Sequence, residues 1–130
     1  MAKMFGYARA NDAQVLECER EFLIGFRSGE DGCVSVFTDL GGGIDRNLPQ
    51  RAALLSLVKA DDIIVITGID RLARGHETLA AIWRRLQRKG AKIAIADESG
   101  MTIIDNPWGI TSAAIGALPA VVEDRQRGND

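Results

Sequence analysis

The stretch DIIVITG, residues 62–68, indicates the fold class, because it is a continuous run of mostly β-branched side chains. Such a run is typical of a strand that is buried on both faces, as in a parallel sheet. KMFGYAR at 3–9, CVSVFTD at 33–39 and AKIAIAD at 91–97 predict three further strands. MTIID, which begins at Met101, predicts a short edge strand.

Helices are predicted between these strands from apolar residues at helical spacing. They are expected at residues 13–26, from Pro49 onward, at 77–89 before Gly90, and from about Pro107 to Arg127. Alternating strands and helices predict one domain over residues 1–130. The expected architecture is a three-layer α/β/α fold with a mostly parallel sheet of four to five strands, ending in a long C-terminal helix.

Charge and composition exclude several classes of function. Sixteen basic and eighteen acidic residues give a net charge of −2, so no global basic field attracts nucleic acid. Contact with DNA would need a local basic cluster or another chain.

The single histidine, His76, argues against a histidine-based metal site, and we expect no metal and no cofactor. Cys18 is predicted to be a buried thiol on the first helix.

The sequence also bears on localisation. It contains no apolar run of about 18 residues and no signal-peptide pattern at its N-terminus. We therefore expect a cytoplasmic protein with no membrane partner.

Candidate functional residues lie at the predicted carboxyl ends of the strands, where α/β proteins place their sites. They are Tyr7, Arg9, Thr38, Asp39, Asp70, Arg71, Arg74, Asp97 and Glu98. Arginines bind phosphate oxygens bidentately and stay charged, so this set predicts a site for a phosphate diester. The alternative is that Asp70 and the arginines of DRLAR, residues 70–74, form surface or capping ion pairs.

The glycines at 41–43 suggest a second possibility, a loop that cradles phosphate. The sequence has no GxGxxG and no Walker lysine followed by Ser or Thr, so a hinge or a disordered loop is the simpler interpretation. An α/β module that binds a small phosphorylated ligand at Arg9, Arg71 and Arg74 remains an alternative function.

Several motifs together resemble the resolvase/invertase family of serine recombinases. They are FGYAR at 5–9, FTD at 37–39, IDRLAR at 69–74, KGAKIAIADES at 89–99, and the closing WGI…VVEDRQR with Glu123. The resemblance spans nearly the whole chain and implies a bacterial or phage-like origin.

The resemblance implies a defined chemistry. A serine two residues after the first arginine attacks the DNA phosphodiester, giving a phosphoserine link and a free 3′ hydroxyl without a metal. An arginine cluster stabilises the transition state, and strands are exchanged in a tetramer built on the long helix. The matching catalytic positions retained here are Arg9, Asp39, Asp70, Arg71 and Arg74, with Tyr7, Gln14 and Arg46 as candidate ligands of DNA phosphate.

Three departures from the family pattern bear on activity. Asn11 stands at the nucleophile position, and an amide cannot form the attacking alkoxide. Leu48 stands where the family has an active-site arginine, with Arg46 and Arg51 near it but out of register. Glu19 replaces a family glutamine, and its carboxylate would repel a phosphate unless it pairs with an arginine.

These departures predict a degenerate recombinase domain that has lost strand cleavage and acts as a self-associating binding or regulatory protein. The expected partners are a second copy, a recombinase or another DNA-associated protein, and DNA only weakly or through another chain. The family's catalytic domain is normally followed by a helix-turn-helix module, which we do not expect in residues 1–130. The alternative is an active recombinase fragment.

Overall fold

A computed structural model describes residues 3–28, 31–41 and 48–104 of the chain. The elements are β1 (Met4–Ala10), α1 (Ala13–Gly25), β2 (Arg27–Ser28), β3 (Asp31–Leu40), α2 (Pro49–Leu57), β4 (Ile63–Ile66), α3 (Ile69–Leu72), α4 (His76–Lys89), β5 (Lys92–Asp97) and β6 (Gly100–Ile103). The predicted last helix, Glu123, Arg46 and most of the glycine stretch lie outside the described residues.

The strands form one sheet in the order β2-β3-β1-β4-β5-β6. Its four inner strands, β3, β1, β4 and β5, are parallel, whereas β2 and β6 pair antiparallel at the edges. The predicted mostly parallel α/β fold is confirmed. The sheet has six strands rather than the predicted four to five, because Arg27 and Ser28 form a short additional strand, β2, between the predicted helix at 13–26 and the predicted strand at 33–39. Two residues are too short to give a periodic pattern.

Side chains alternate between the two faces of the sheet and divide the core into two clusters. Phe5, Tyr7, Ile64, Ile66 and Ile93 pack with residues of α2 and α4. Met4, Ala8, Val65 and Ala96 pack with Leu23 of α1 and with Phe26 just after it. The helices therefore cover both faces, as the three-layer prediction requires.

The strand order predicts a crevice at the carboxyl ends of β1 and β4. From β1 the chain passes through α1 to β3 on one side, and then crosses through α2 to β4 on the other side of β1. In open α/β sheets, ligands bind where the strand order reverses in this way. The turn holding Asn11 follows β1, and Thr67 and Gly68 follow β4, so both line this position.

Capping residues define the N-terminus of α1 and the C-terminus of α4. The Asp12 carboxylate accepts hydrogen bonds from the backbone N–H groups of Gln14 (2.7 Å) and Val15 (3.1 Å), so Asp12 is the N-cap of α1. At the C-terminus of α4, Gly90 is the C-cap in the left-handed conformation, with φ of 82°.

The prediction that Cys18 is a buried thiol is wrong, because its side chain is exposed. The stripe of α1 that faces the sheet includes Leu16 and Leu23. Cys18 lies two residues after Leu16, which is about 200° around the helix axis and so on the solvent side.

Within the described residues, no helix is long and apolar enough to cross a membrane.

Candidate active site

The site lies at the carboxyl edge of the sheet, where β1 and β3 run side by side. Arg9 and Asp39 are register partners on these two strands. Arg9 is 1% exposed and lies two residues after Tyr7 on β1. Because alternate residues of a strand share a face, both side chains project toward the face covered by α2 and α4. The topology thus brings together three of the predicted site residues.

Asp39 is the centre of a buried hydrogen-bond network. Its carboxylate accepts a hydrogen bond of 2.8 Å from the Tyr7 hydroxyl. It also accepts bonds from the backbone N–H groups of Gln50 (3.1 Å) and Arg51 (2.9 Å) in the first turn of α2. Asp39 therefore caps α2 from the neighbouring strand, a role that sequence analysis missed because Asp39 lies 11 residues before Gln50.

Tyr7, predicted as a phosphate ligand, instead uses its hydroxyl on Asp39. Burial is the main reason that the pKa of Tyr7 is raised well above its ordinary value, and the hydrogen bond to Asp39 and its negative charge add to the shift. The positive charges of Arg51 and Arg9 act in the opposite direction. Tyr7 is therefore a neutral donor at physiological pH and does not supply a phenolate.

Leu48 and Arg51 show how the α2 side of the site is built. Leu48, at the position of a family arginine, is 8% exposed and is the residue from which α2 begins. The Arg51 side chain donates a 2.8 Å hydrogen bond to the carbonyl of Leu72 at the end of α3. Arg51 thus ties α2 to α3, whereas Leu48 carries no charge.

Arg71 is held by two carboxylates. Its Nε atom lies 3.1 Å from each oxygen of Glu19, and its Nη2 atom lies 3.0 Å from Glu19 Oε2. Its Nη1 atom lies 3.0 Å from each oxygen of Asp70. The hydrogen bond to Glu19 is the largest cause of a raised Arg71 pKa, which burial partly offsets. The arginine partner that the Glu19 carboxylate required is thus Arg71.

The remaining candidates lie nearer to solvent. Asn11, Gln14 and Arg74 are exposed, and Asp70 is 56% exposed. Asp97 is the last residue of β5 and Glu98 lies in the turn after it, and both line a separate cleft with Glu21 and Arg27. Asp97 accepts bonds from the N–H and hydroxyl of Ser99, which lower its pKa. These two acidic residues therefore share a cleft with Arg27, whereas the carboxylate partners of Arg71 are Glu19 and Asp70.

Thr67 adds a hydroxyl that sequence analysis missed. Its Oγ1 atom is buried and has no hydrogen-bond partner within the described part of the chain. Thr67 follows β4 directly and is the last β-branched residue of DIIVITG, a run that signals only a buried strand.

The donor atoms do not suggest a metal centre. Among residues 3–28, 31–41 and 48–104, no group of three or more His, Cys, Asp and Glu side chains could hold a metal ion. The arrangement is instead an arginine and carboxylate network, which can bind an oxyanion wherever a guanidinium is not already paired.

The sequence of the chain also matches the model of a known protein family. Residues 4–126 match the family model described as the N-terminal domain of resolvase. The chain belongs to the resolvase family. The resemblance inferred from FGYAR and IDRLAR is therefore confirmed.

The chain is similar to curated resolvases of transposons. It is 35% identical over 98 residues to the Transposon Tn501 resolvase of Pseudomonas aeruginosa, a match that covers 71% of this chain and 53% of that protein. It is 32% identical over 97 residues to the Transposon Tn21 resolvase of Escherichia coli, covering 70% and 52%. The chain thus spans about half the length of these resolvases.

Solved structures share the fold at lower identity. The C-terminal catalytic domain of ISC1926 TnpA, an IS607-like serine recombinase, matches with a TM-score of 0.60 and 22% identity, covering 72% of this chain and 68% of that one. A serine recombinase from Sulfolobus solfataricus matches with a TM-score of 0.55 and 24% identity, covering 74% and 71%. At identities of 22% and 24%, these matches show that the chain shares the fold of the two solved proteins.

Proposed function

We propose that this chain is a resolvase-family domain that has lost DNA strand cleavage and acts as a binding or regulatory protein in a DNA-related process. The observation that carries the proposal is Asn11, in the turn after β1 at the crevice between β1 and β4. Its carboxamide has no hydroxyl to deprotonate, so it cannot attack phosphorus. Loss of a nucleophile costs roughly 10⁴- to 10⁶-fold in rate.

The surroundings of Asn11 support the same function. Leu48 is buried where the family resemblance places an arginine, so a positive charge that would stabilise the transition state is missing. Arg71 is paired with Glu19 and Asp70 rather than open to a phosphate. Asp39 and Tyr7 are joined to each other in the core. The retained family residues thus have structural contacts that preserve the fold without cleavage.

The proposed partners follow from charge and family. A net charge of −2 gives weak attraction to DNA, so contact with DNA would be weak or made through another chain. We propose self-association, or association with an active recombinase or another DNA-associated protein. Light scattering at several concentrations tests this part, because a monomeric mass at all concentrations would contradict self-association.

A nicking assay tests the loss of cleavage. The wild type and Asn11→Ala are incubated with supercoiled plasmid, and nicks and protein–DNA adducts are measured on denaturing gels. We expect no adduct and no nicking from either protein. An adduct that forms with the wild type and disappears with Asn11→Ala would contradict the proposal.

The double variant Asn11→Ser with Leu48→Arg measures how much of the site remains. It restores the hydroxyl and one positive charge. Nicking by this variant alone would show that the other site residues still support the chemistry, and would leave the proposed loss in the wild type intact.

A further inference from the structure

The cluster of Glu19, Arg71 and Asp70 joins the two sides of the crevice. Glu19 lies on α1, which covers one face of the sheet, and Arg71 lies on α3, directly after β4. Glu19 contacts both the Nε and Nη2 atoms of Arg71 at 3.0–3.1 Å. This is the bidentate edge of a guanidinium, the same edge that binds two oxygens of a phosphate.

Burial makes this pairing persistent. The Glu19 side chain is only 9% exposed, whereas that of Arg71 is 31% exposed. A carboxylate that is largely removed from water needs its partner, because an unpaired buried charge is costly. Arg71 therefore faces solvent with its charge already balanced by Glu19 behind it and Asp70 beside it.

Arg71 and Arg74 are the arginines of this edge that reach solvent, and Arg71 is the one whose bidentate edge contacts Glu19. Arg9 is almost completely buried, and Arg51 donates to the carbonyl of Leu72. Arg71 is partly exposed and sits at the position where the strand order reverses. A phosphate that entered the crevice would meet the bidentate edge of Arg71 already occupied by Glu19.

We propose that Glu19 is an internal anion that competes with DNA phosphate for Arg71 and thereby sets the affinity of this edge for DNA. The inference rests on the proposed function in one respect, since it takes DNA as the polyanion that this edge meets. It names Glu19 as a specificity-determining residue that acts through Arg71. Displacing Glu19 would leave its carboxylate buried next to the incoming phosphate, and two like charges repel.

Glu19→Gln tests the inference directly. Glutamine keeps the length of the side chain and one acceptor for Arg71, but it removes the negative charge. We expect this variant to bind a fluorescent DNA duplex roughly fivefold more tightly than the wild type at low salt, as for one partly exposed charge contact. The affinity should also depend more steeply on salt, by about one additional phosphate contact. Fluorescence anisotropy measures both quantities.

Glu21→Gln is the matched control, because Glu21 is exposed on the same helix and its loss changes the net charge equally. We expect its affinity for DNA to stay near that of the wild type. In an Arg71→Ala background, Glu19→Gln should no longer increase the affinity. Circular dichroism establishes that each variant is folded.

Three results would overturn the inference. They are equal gains for Glu19→Gln and Glu21→Gln, a gain that persists without Arg71, and no binding by folded Glu19→Gln at low salt. None of these bears on strand cleavage, which the nicking assay measures separately with Asn11 variants. The two proposals can therefore fail independently.

The Nε–H resonance of Arg71 gives a second measurement that needs no DNA. Inorganic phosphate is titrated into isotopically labelled protein, and the arginine resonances are followed by NMR. We expect the Arg71 signal to move with phosphate in Glu19→Gln and to stay in place in the wild type and in Glu21→Gln. Equal movement in all three proteins would contradict competition by Glu19.

Discussion

Tyr7 is the only tyrosine of the sequence, and its hydroxyl donates to Asp39 inside the core. At the scale of single residues it illustrates how a position of the family motif can hold the structure together. Burial and the Asp39 carboxylate both disfavour its ionised form, which raises its pKa. Because no other tyrosine is present, this property can be measured without interference.

Replacing Tyr7 tests both the hydrogen bond and the titration. Tyr7→Phe should lower the free energy of unfolding by about 1–2 kcal/mol at neutral pH, because a buried carboxylate loses a donor. The raised pKa means that Tyr7 stabilises the fold below about pH 10, the ordinary tyrosine value, and that this contribution falls as pH rises above it. Urea unfolding at neutral and alkaline pH measures both effects.

The wild type should therefore lose more stability than Tyr7→Phe above about pH 10. The ultraviolet absorbance of tyrosinate should also appear only when the chain unfolds. Tyrosinate formation in the folded protein near the ordinary pKa, or equal losses of stability in both proteins, would contradict this assignment.

At the scale of elements, α2 depends on a strand for its first turn. Leu48, its N-cap residue, makes no side-chain capping hydrogen bond, and Asp39 of β3 accepts from Gln50 and Arg51 instead. At the other end of α2, the Lys89 ammonium of α4 contacts the carbonyls of Leu55 (2.6 Å) and Val58 (3.1 Å). Both termini of α2 are thus completed by neighbouring elements.

Asp39→Asn should therefore destabilise the protein more than the same change at Asp12. The carboxamide of asparagine has one acceptor oxygen, whereas three donors converge on the two oxygens of Asp39. We therefore expect Asp39→Asn to lower the free energy of unfolding by about 2–3 kcal/mol. Asp12 is an exposed cap, and asparagine caps helices about as well as aspartate, so Asp12→Asn should cost under about 1 kcal/mol. Urea unfolding compares the two variants.

Hydrogen exchange locates the effect. The amides of Gln50 and Arg51 should exchange faster in Asp39→Asn, while those of α1 should stay as in the wild type. Equal losses of stability in the two asparagine variants would show that the Asp39 cap contributes no more than an exposed one.

At the scale of the whole molecule, Gly6 sets the distance between α1 and the sheet. A Cβ atom at residue 6 would lie 3.1 Å from Val36 Cγ2 and 3.3 Å from Leu23 Cβ. Gly6→Ala should therefore push the layers apart and cost about 1–3 kcal/mol. Thermal unfolding measures the loss.

Gly25 is the matched control, since a Cβ there would meet nothing within 4 Å. Gly25→Ala should leave the stability unchanged or raise it by up to about 1 kcal/mol, because alanine favours the helix. If Gly6→Ala were as stable as Gly25→Ala, the close approach of α1 to β1 would not limit the packing.

The sequence predicted the architecture of the molecule better than the contacts of its site. The β-branched run at 62–68 and the helical spacing at 77–89 each follow from burial, which repeats along an element and so leaves a pattern. The motifs also predicted that Tyr7, Arg9 and Asp39 meet at one edge, because carboxyl ends of parallel strands share an edge.

What the sequence did not predict depends on contacts between elements that are distant along the chain. The hydrogen bonds from Asp39 to α2 and from Arg51 to Leu72 exist only because the crossovers bring those termini together. The partner of Glu19 could be predicted only as some arginine, since Arg71 lies 52 residues away. Cys18 was misplaced because the spacing of α1 did not fix which side faces the sheet.

The central position of β1 has a consequence for biosynthesis. β1 pairs with β3 on one side and with β4 on the other, both of which follow it in the chain, and the amide of Ile63 donates to the carbonyl of Lys3. Neither edge of β1 can be covered until at least residue 33 has emerged, and both are covered only once residue 66 has followed. Because such long-range pairing is slow, the nascent chain carries an open apolar strand until residues 31–66 have been synthesised, the interval in which a chaperone would bind it.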